Sequence, residues 1–279
     1  MAAILGGVSP ETGSGAGEAG VDGLSPLRAA PASSAVLTDV DGTLAPIVDR
    51  PEQAAVPAAA RDALISLSRS FGLVGCISGR QAEEARRLVG VDEIAYAGNH
   101  GLELLLPGSD EPQLDPSMRD RERAAAEFVA GQTALIEAGG LRVEDKGPIQ
   151  ALHWRAVEDE RAAEARAHEL ATAAGRAGLE PRWGRKVLEL RPAGGGGKDA
   201  AVAALLATDG ITVALYGGDD RTDLDAFRRL RELRDHGELE AALCVGVASP
   251  EAPPELAQES DWTVDGPAGW LAALESLTD

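Results

Sequence analysis

Short apolar runs alternating with stretches of helical period set the rhythm of the first hundred residues. Residues 35–37 (Ala35, Val36, Leu37) end a continuous apolar run, the pattern of a strand buried on both faces. Pro57 opens a helix that carries Ala60, Leu64, Leu67 and Phe71 on one face, and Gly72 stops it. Residues 73–77 read as a second buried strand, 81–89 as another helix and 94–97 as a third strand. Strands alternating with helices imply a parallel sheet with right-handed crossovers.

From about Gly101 the pattern changes. An apolar stretch over 102–106, a proline-containing loop, a helix over 119–138, strands over 142–145 and 149–156, a helix over 159–175, and strands over 181–183 and 187–191 predict an α+β insert, an antiparallel sheet covered by two helices. The earlier rhythm resumes with a helix after Lys198, a strand over 211–216, a helix over 223–235 and a strand over 242–247. Thr222 with Asp225 supplies an N-cap-like start to that helix. The expected architecture is α/β, a doubly wound parallel sheet built from 34–100 and 193–279, with the α+β insert at 101–192. Residues 1–33, rich in Gly, Ala, Ser and Glu without periodicity, read as a flexible extension that adds nothing to the fold.

Candidate chemistry begins where the first strand breaks into a glycine turn, Asp39-Val40-Asp41-Gly42-Thr43-Leu44. Carboxyl ends of strands are where open α/β sheets hold ligands. Asp39 could attack phosphorus, and Asp41 could move the protons of the leaving oxygen and of the hydrolytic water. An anion approaching a phosphate needs its charge neutralised, and magnesium suits one or two carboxylates. Thr43 offers a hydroxyl and, with its neighbours, backbone donors to phosphate. A solvated turn or a calcium-loop fragment shares the string, although the twelfth position of such a loop, a glutamate there, is Arg50 here.

Three further stretches fall at the same predicted sheet edge. Ser78-Gly79-Arg80 ends the second strand, where Ser78 could donate to phosphate or cap a helix. Lys198 follows four glycines and opens a helix, either beside a phosphate or as the end of a flexible linker. Gly218-Asp219-Asp220-Arg221-Thr222-Asp223 crowds carboxylates at a strand end, an arrangement that calls for a cation. Asp219 ranks first as a ligand, then Asp223, then Asp220, the last two being equally placed to cap the following helix.

Composition narrows the classes. Hydrophobic residues make up 44% of the 279 and aromatics 3%, so the core is built of Ala, Leu and Val. A net charge of -20 argues against nucleic acid and against an anionic membrane surface, and leaves a phosphate substrate only where basic groups cluster locally. Cys76 and Cys244 are the only cysteines, which speaks against a disulfide framework. With neither a membrane-length apolar run nor a secretory leader pattern, a cytoplasmic protein is expected.

Taken together, these stretches resemble the haloacid dehalogenase (HAD) superfamily of phosphatases, and within it the trehalose-6-phosphate phosphatases, over about residues 35–275. Asp39 to Ile47 is similar to the first motif, Ser78-Gly79-Arg80 to the second, Lys198 to the third and Gly218 to Asp223 to the fourth. Residues 97–103, 144–147 with 153–155, and 184–192 are similar to segments that recognise trehalose. Asp199 after Lys198, where Gly is usual, and Trp154, where Tyr is usual, depart from the pattern. The resemblance implies a HAD-like core with the insert as a cap. It makes Asp39 the nucleophile, Asp41 the acid/base, and Ser78, Gly79, Thr43 and Lys198 the phosphoryl-binding set. Mg2+ would be held by the Asp39 side chain, the Asp41 carbonyl and Asp219, with Asp223 nearby. His100, Glu103, Lys146, Arg185, Lys186 and Glu189 would read the sugar, because a buried hydroxyl-rich ligand needs charged donors and acceptors. A trehalose-6-phosphate synthase is the implied functional partner. Sucrose 6-phosphate or mannosyl-3-phosphoglycerate hydrolysis, or a non-catalytic sugar-phosphate sensor, are the competing readings.

Overall fold

Every residue of the first strand is buried, because it runs down the middle of the larger of two sheets. The computed structural model describes residues 23–48, 53–114, 123–155, 157–184, 186–194, 196–208 and 210–278. Helix α1 (Ser25–Ala29) leads into β1 (Ser34–Asp39), followed by α2 (Ala58–Ser68), β2 (Leu73–Ile77), α3 (Ala82–Val89) and β3 (Ala95–Gly98). Strands β4 (Glu103–Leu105) and β5 (Gln113–Leu114) come next, then α4 (Ala124–Gly131), α5 (Thr133–Ala138), β6 (Arg142–Lys146) and β7 (Ile149–His153). The chain continues through α6 (Glu160–Arg176), β8 (Leu179–Gly184), β9 (Val187–Pro192), α7 (Lys198–Leu206), β10 (Val213–Gly218) and α8 (Asp223–Asp235). It closes with β11 (Ala241–Ala248), α9 (Pro254–Glu259), β12 (Trp262–Asp265) and α10 (Gly266–Glu275).

The eight-stranded sheet has the order β12-β11-β10-β1-β2-β3-β4-β5. Its strands are parallel from β12 through β3, and β4 and β5 add an antiparallel edge. From β1 the chain winds outward through β2 and β3, then returns to β10 on the other side, so the strand order reverses between β1 and β10. Such a switch point opens a crevice beyond the strand ends. Alternation along the strands separates two apolar layers. Val36, Val74 and Leu215 pack with α2 and α10, and Ala35, Leu37 and Ala214 pack with α7 and α8. The second sheet, β6-β7-β9-β8, is antiparallel, and its apolar face (Leu152, Leu188, Leu190) is covered by Ala163, Ala167 and Leu170 of α6.

Three details depart from the sequence reading. The change at Gly101 does not leave the large sheet, since β4 and β5 pair antiparallel with β3 and with each other, satisfying its edge. The helix expected over 119–138 is two, divided at Gln132, with residues 119–122 outside those described. The extension is not idle throughout, because Leu24 and Leu27 are 1% and 0% exposed in the core and Arg28 donates to the Ser276 carbonyl at 2.8 and 3.1 Å. Residues 1–22 lie outside the described residues. Among the described residues no helix is long and apolar enough to cross a membrane.

Trp270 connects this packing to the central strand end. Fully buried in α10, it donates its indole N–H to Thr38 Oγ1 at 2.9 Å, and Thr38 donates to the Asp39 carbonyl at 2.7 Å. Its ring occupies the space a side chain at Gly217 would need, a Cβ there lying 2.5 Å from the ring. Truncation with Trp270→Ala is expected to lower stability by about 3–5 kcal/mol, the range for emptying a large buried aromatic site, as read from the urea unfolding midpoint.

Candidate active site

The ends of β1, β2 and β10 bring the predicted residues to one edge. Register sets Asp39 opposite Ile77, so Ser78 follows immediately, and sets Thr38 opposite Gly217, so Asp219 emerges beside the turn after β1. Lys198, the first residue of α7, reaches in from the layer above and is 3% exposed. Its Nζ donates to Asp39 Oδ1 at 2.7 Å and to Asp223 Oδ1 at 2.5 Å. Burial works against the lysine charge, yet Asp223 and Asp39 outweigh it and lift its pKa well above the ordinary value. Asp39 moves upward too, chiefly through burial, with Lys198 offsetting part and Asp223 and Asp219 adding to it.

Asp223 is fully buried and has no oxygen to spare. Oδ1 accepts Lys198 and the Tyr216 phenol (2.6 Å), while Oδ2 accepts the backbone N–H groups of Asp219 and Asp220, both at 2.9 Å. It thus folds the loop that presents Asp219. Tyr216 was not singled out from the sequence; its place at the end of an apolar strand, just before Gly217-Gly218-Asp219, was the available signal. Asp220 is the helix cap. Its Oδ1 accepts the Thr222 and Asp223 N–H groups at 2.7 and 3.1 Å, so the cap expected of Thr222 belongs to Asp220. Burial raises the Asp220 pKa, but Lys198 and the Thr222 hydrogen bonds bring it down to about 2.

The glycine turn is shaped around Asp219. Gly42 sits at φ +97°, and a Cβ there would lie 2.2 Å from Asp219 Oδ2. Thr43, expected to face phosphate, is fully buried and donates its hydroxyl to Asp219 Oδ1 at 2.9 Å. That leaves Oδ2 of Asp39 and of Asp219 accepting no hydrogen bond from a described residue. Asp41 turns the other way: Arg80 clasps it with Nε on Oδ2 and Nη2 on Oδ1, both at 2.8 Å. Ser78 is 2% exposed; its Oγ accepts the Arg80 N–H at 3.1 Å and its proton goes to no described residue. Gly79 makes room for His100, whose Nε2 would lie 2.7 Å from a Cβ at that position.

Opposite this edge the polar face of the small sheet carries a charged array. Glu189 accepts from Lys146 Nζ at 3.1 Å and from Arg191 Nη2 at 2.5 Å, and His100 Nε2 lies 3.7 Å from it. Arg191, within the 184–192 segment but not singled out from the sequence, is 8% exposed. Two predicted sugar readers have other partners. Glu103 is spent inside the fold, its Oε2 accepting the Ala82 N–H at the start of α3 (2.9 Å) and its Oε1 accepting Asn99 Nδ2 (2.7 Å). Lys186, at φ +59°, bonds both Glu160 oxygens on α6 at 2.7 Å and does not join the Glu189 array. Arg185 lies outside the described residues.

The donor set fits a hard divalent cation. Asp39, Asp219 and Asp223 each offer an oxygen within 4.8 Å of the others, and the one described cation bonded to them is Lys198. Burial and the neighbouring Asp223 push Asp219 up to about 7, as expected where buried carboxylates outnumber cations. Oxygen-only ligands with two free carboxylate oxygens match magnesium chemistry. Asp223, with four donors already on it, supports the ligands from behind.

The family described as Trehalose-phosphatase matches residues 37–256. A rice protein, "Probable trehalose-phosphate phosphatase 9", is 32% identical over 228 residues, covering 72% of this chain and 60% of its own length. The chain therefore spans about three-fifths of the length of the plant relatives it matches. In fold it is similar to the C-terminal domain of Candida albicans trehalose-6-phosphate phosphatase, with a TM-score of 0.75 and 21% identity over 92% of this chain and 96% of that one. It is similar also to a haloacid dehalogenase-like hydrolase from Bacteroides thetaiotaomicron, with a TM-score of 0.64 and 16% identity over 87% and 98% of the two chains.

One pH response follows from the array. Burial, then the Arg191 charge, pulls His100 from its ordinary 6.5 down to about 3, against the opposing pull of Glu189. Glu189 is raised by burial but brought down to about 2 by Lys146 and Arg191. In the window between about 3 and 6.5 the unfolded chain binds the extra His100 proton, so this group's contribution to stability rises with pH there and is complete above it. The His100 ring resonances are expected to show no titration between pH 8 and roughly 4. A midpoint near the ordinary value would mean that His100 is charged beside Glu189.

Proposed function

The chain belongs to the trehalose-phosphatase family, and on that premise we propose that it hydrolyses trehalose 6-phosphate to trehalose and inorganic phosphate, the last step of trehalose biosynthesis. The observation that carries the reading is the Lys198–Asp39 pair at the switch point of the sheet, facing the Lys146–Glu189–Arg191 array.

In this reading Asp39 attacks phosphorus as the bond to the sugar oxygen breaks, and Asp41, leaving Arg80, supplies the proton that frees the sugar. Water then attacks the aspartyl-phosphate, giving its proton to Asp41 as the bond to Asp39 breaks. Lys198 and Ser78 hold phosphoryl oxygens, and Thr43 serves by fixing Asp219. Mg2+ bound by Asp39, Asp219 and the Asp41 carbonyl would neutralise charge between carboxylate and phosphate. The small sheet acts as a cap, with Lys146, Glu189 and His100 contacting sugar hydroxyls. A trehalose-6-phosphate synthase would supply the substrate.

Phosphate release should be measured on trehalose 6-phosphate, sucrose 6-phosphate and mannosyl-3-phosphoglycerate, with magnesium and after chelation. Turnover is expected on the first, lost on chelation and restored by magnesium. Asp39→Asn is expected to lower kcat by roughly three orders of magnitude or more. Comparable rates across the three substrates would sink the trehalose assignment, and full turnover by Asp39→Asn would sink the mechanism.

A further inference from the structure

Beyond the end of β3 the backbone takes three left-handed residues in succession, Asn99 (φ +49°), His100 (φ +55°) and Gly101 (φ +90°). Among the described residues only Lys186 is another non-glycine with positive φ, a conformation that a Cβ disfavours and that Asn and His adopt more readily than most. The turn is pinned on several sides. Asn99 N donates to the Arg80 carbonyl at 2.7 Å, His100 N to the Ser78 carbonyl at 3.0 Å, and the His100 carbonyl accepts Gly197 N at 2.5 Å. It thus touches both the Ser78 loop and the residue preceding Lys198.

The Asn99 side chain faces the other sheet. Fully buried, its Nδ2 donates to Glu103 Oε1 at 2.7 Å and to the Lys146 carbonyl at 2.8 Å. Glu103 is itself fixed by the Ala82 N–H, so the carboxamide has one orientation. Its Oδ1 is left buried without a partner among the described residues. The Asn99–Lys146 bond is, among the described residues, the one hydrogen bond joining the large-sheet segments to the β6–β7 hairpin. One residue's backbone is thus anchored to the catalytic strand ends while its side chain holds the residue whose ammonium bonds Glu189.

We propose that Asn99 is a positioning residue for sugar recognition: it clamps the Lys146 main chain and so sets the Lys146–Glu189 pair at a fixed place over the phosphoryl site. The proposal rests on the reading that these two residues contact the sugar. Glycine adopts left-handed φ freely, so Asn99→Gly removes the carboxamide while easing the backbone, and Asn99→Ala removes it without that relief.

For Asn99→Gly the KM for trehalose 6-phosphate is expected to rise about tenfold, the loss of one hydrogen bond's worth of placement, with kcat changed far less. The inhibition constant of inorganic phosphate, which lacks the sugar, should stay within about twofold. In a Lys146→Ala background Asn99→Gly should add little, because the two act through one contact. Wild-type kinetics in Asn99→Gly would show that position 99 matters only for its backbone and would overturn the clamp. Equal losses toward phosphate and sugar phosphate, or full additivity with Lys146→Ala, would overturn it too. Asn99→Ala, if Asn99→Gly proves unstable, must give the same KM shift. A wild-type protein inactive on trehalose 6-phosphate would instead overturn the parent reading.

Discussion

A single buried ammonium holds the functional edge together. Lys198 bonds Asp39 on the central strand and Asp223 at the start of α8, joining the two halves of the doubly wound sheet where they diverge. Asp223 carries the constraint onward by gathering Tyr216 and two backbone donors, and the loop so formed delivers Asp219 to the Thr43 hydroxyl. Removing one partner from such a network leaves buried charge without compensation, which costs more than the pair contributes when intact. The same crowding that would weaken an ordinary core leaves two carboxylate oxygens, Oδ2 of Asp39 and of Asp219, with no donor among the described residues.

Crowding also explains the glycines. Asp219 lies where a side chain at Gly42 would be, Asp223 where one at Gly218 would be, and the Trp270 ring where one at Gly217 would be. These residues are small because charged and aromatic groups from distant parts of the chain already fill the space. Close approach, more than flexibility, is what the motif glycines provide.

Much of this was legible in the sequence, for local reasons. β1, β2 and β10 are continuous apolar runs and announce themselves, Asp39, Ser78 and Asp219 follow directly from their ends, and Lys198 opens a helix after a glycine run. Residues whose role depends on a remote partner were not. Thr43 looked like a phosphate donor because its hydroxyl is near the turn, yet its acceptor, Asp219, is 176 positions away. Glu103 looked like a sugar reader because a hydroxyl-rich ligand calls for charged groups, but the N-terminus of α3 claims it. Tyr216 carried no signal beyond an ordinary strand end, and Asn99 and Arg191 lay inside the 97–103 and 184–192 segments without being singled out, since each is defined by what other segments place against it. The insert's start was misjudged because an antiparallel edge strand and a strand of a new sheet have the same local pattern.

The position of β1 bears on the order in which the chain becomes a protein. Its neighbours are β2, made soon after it, and β10, made only after the whole excursion through the small sheet. During synthesis from the amino terminus, the strand bearing Asp39 has one flank unpaired, and its carboxylate lacks the lysine that lies 159 residues further along. Long-range parallel pairing of this kind is slow, and an open apolar strand edge invites association with other chains while it waits. The insert, whose strands pair with near neighbours, has the shorter contacts and can form first. Completion of this edge is then a late event in the life of each molecule, timed by the arrival of residues 198–218.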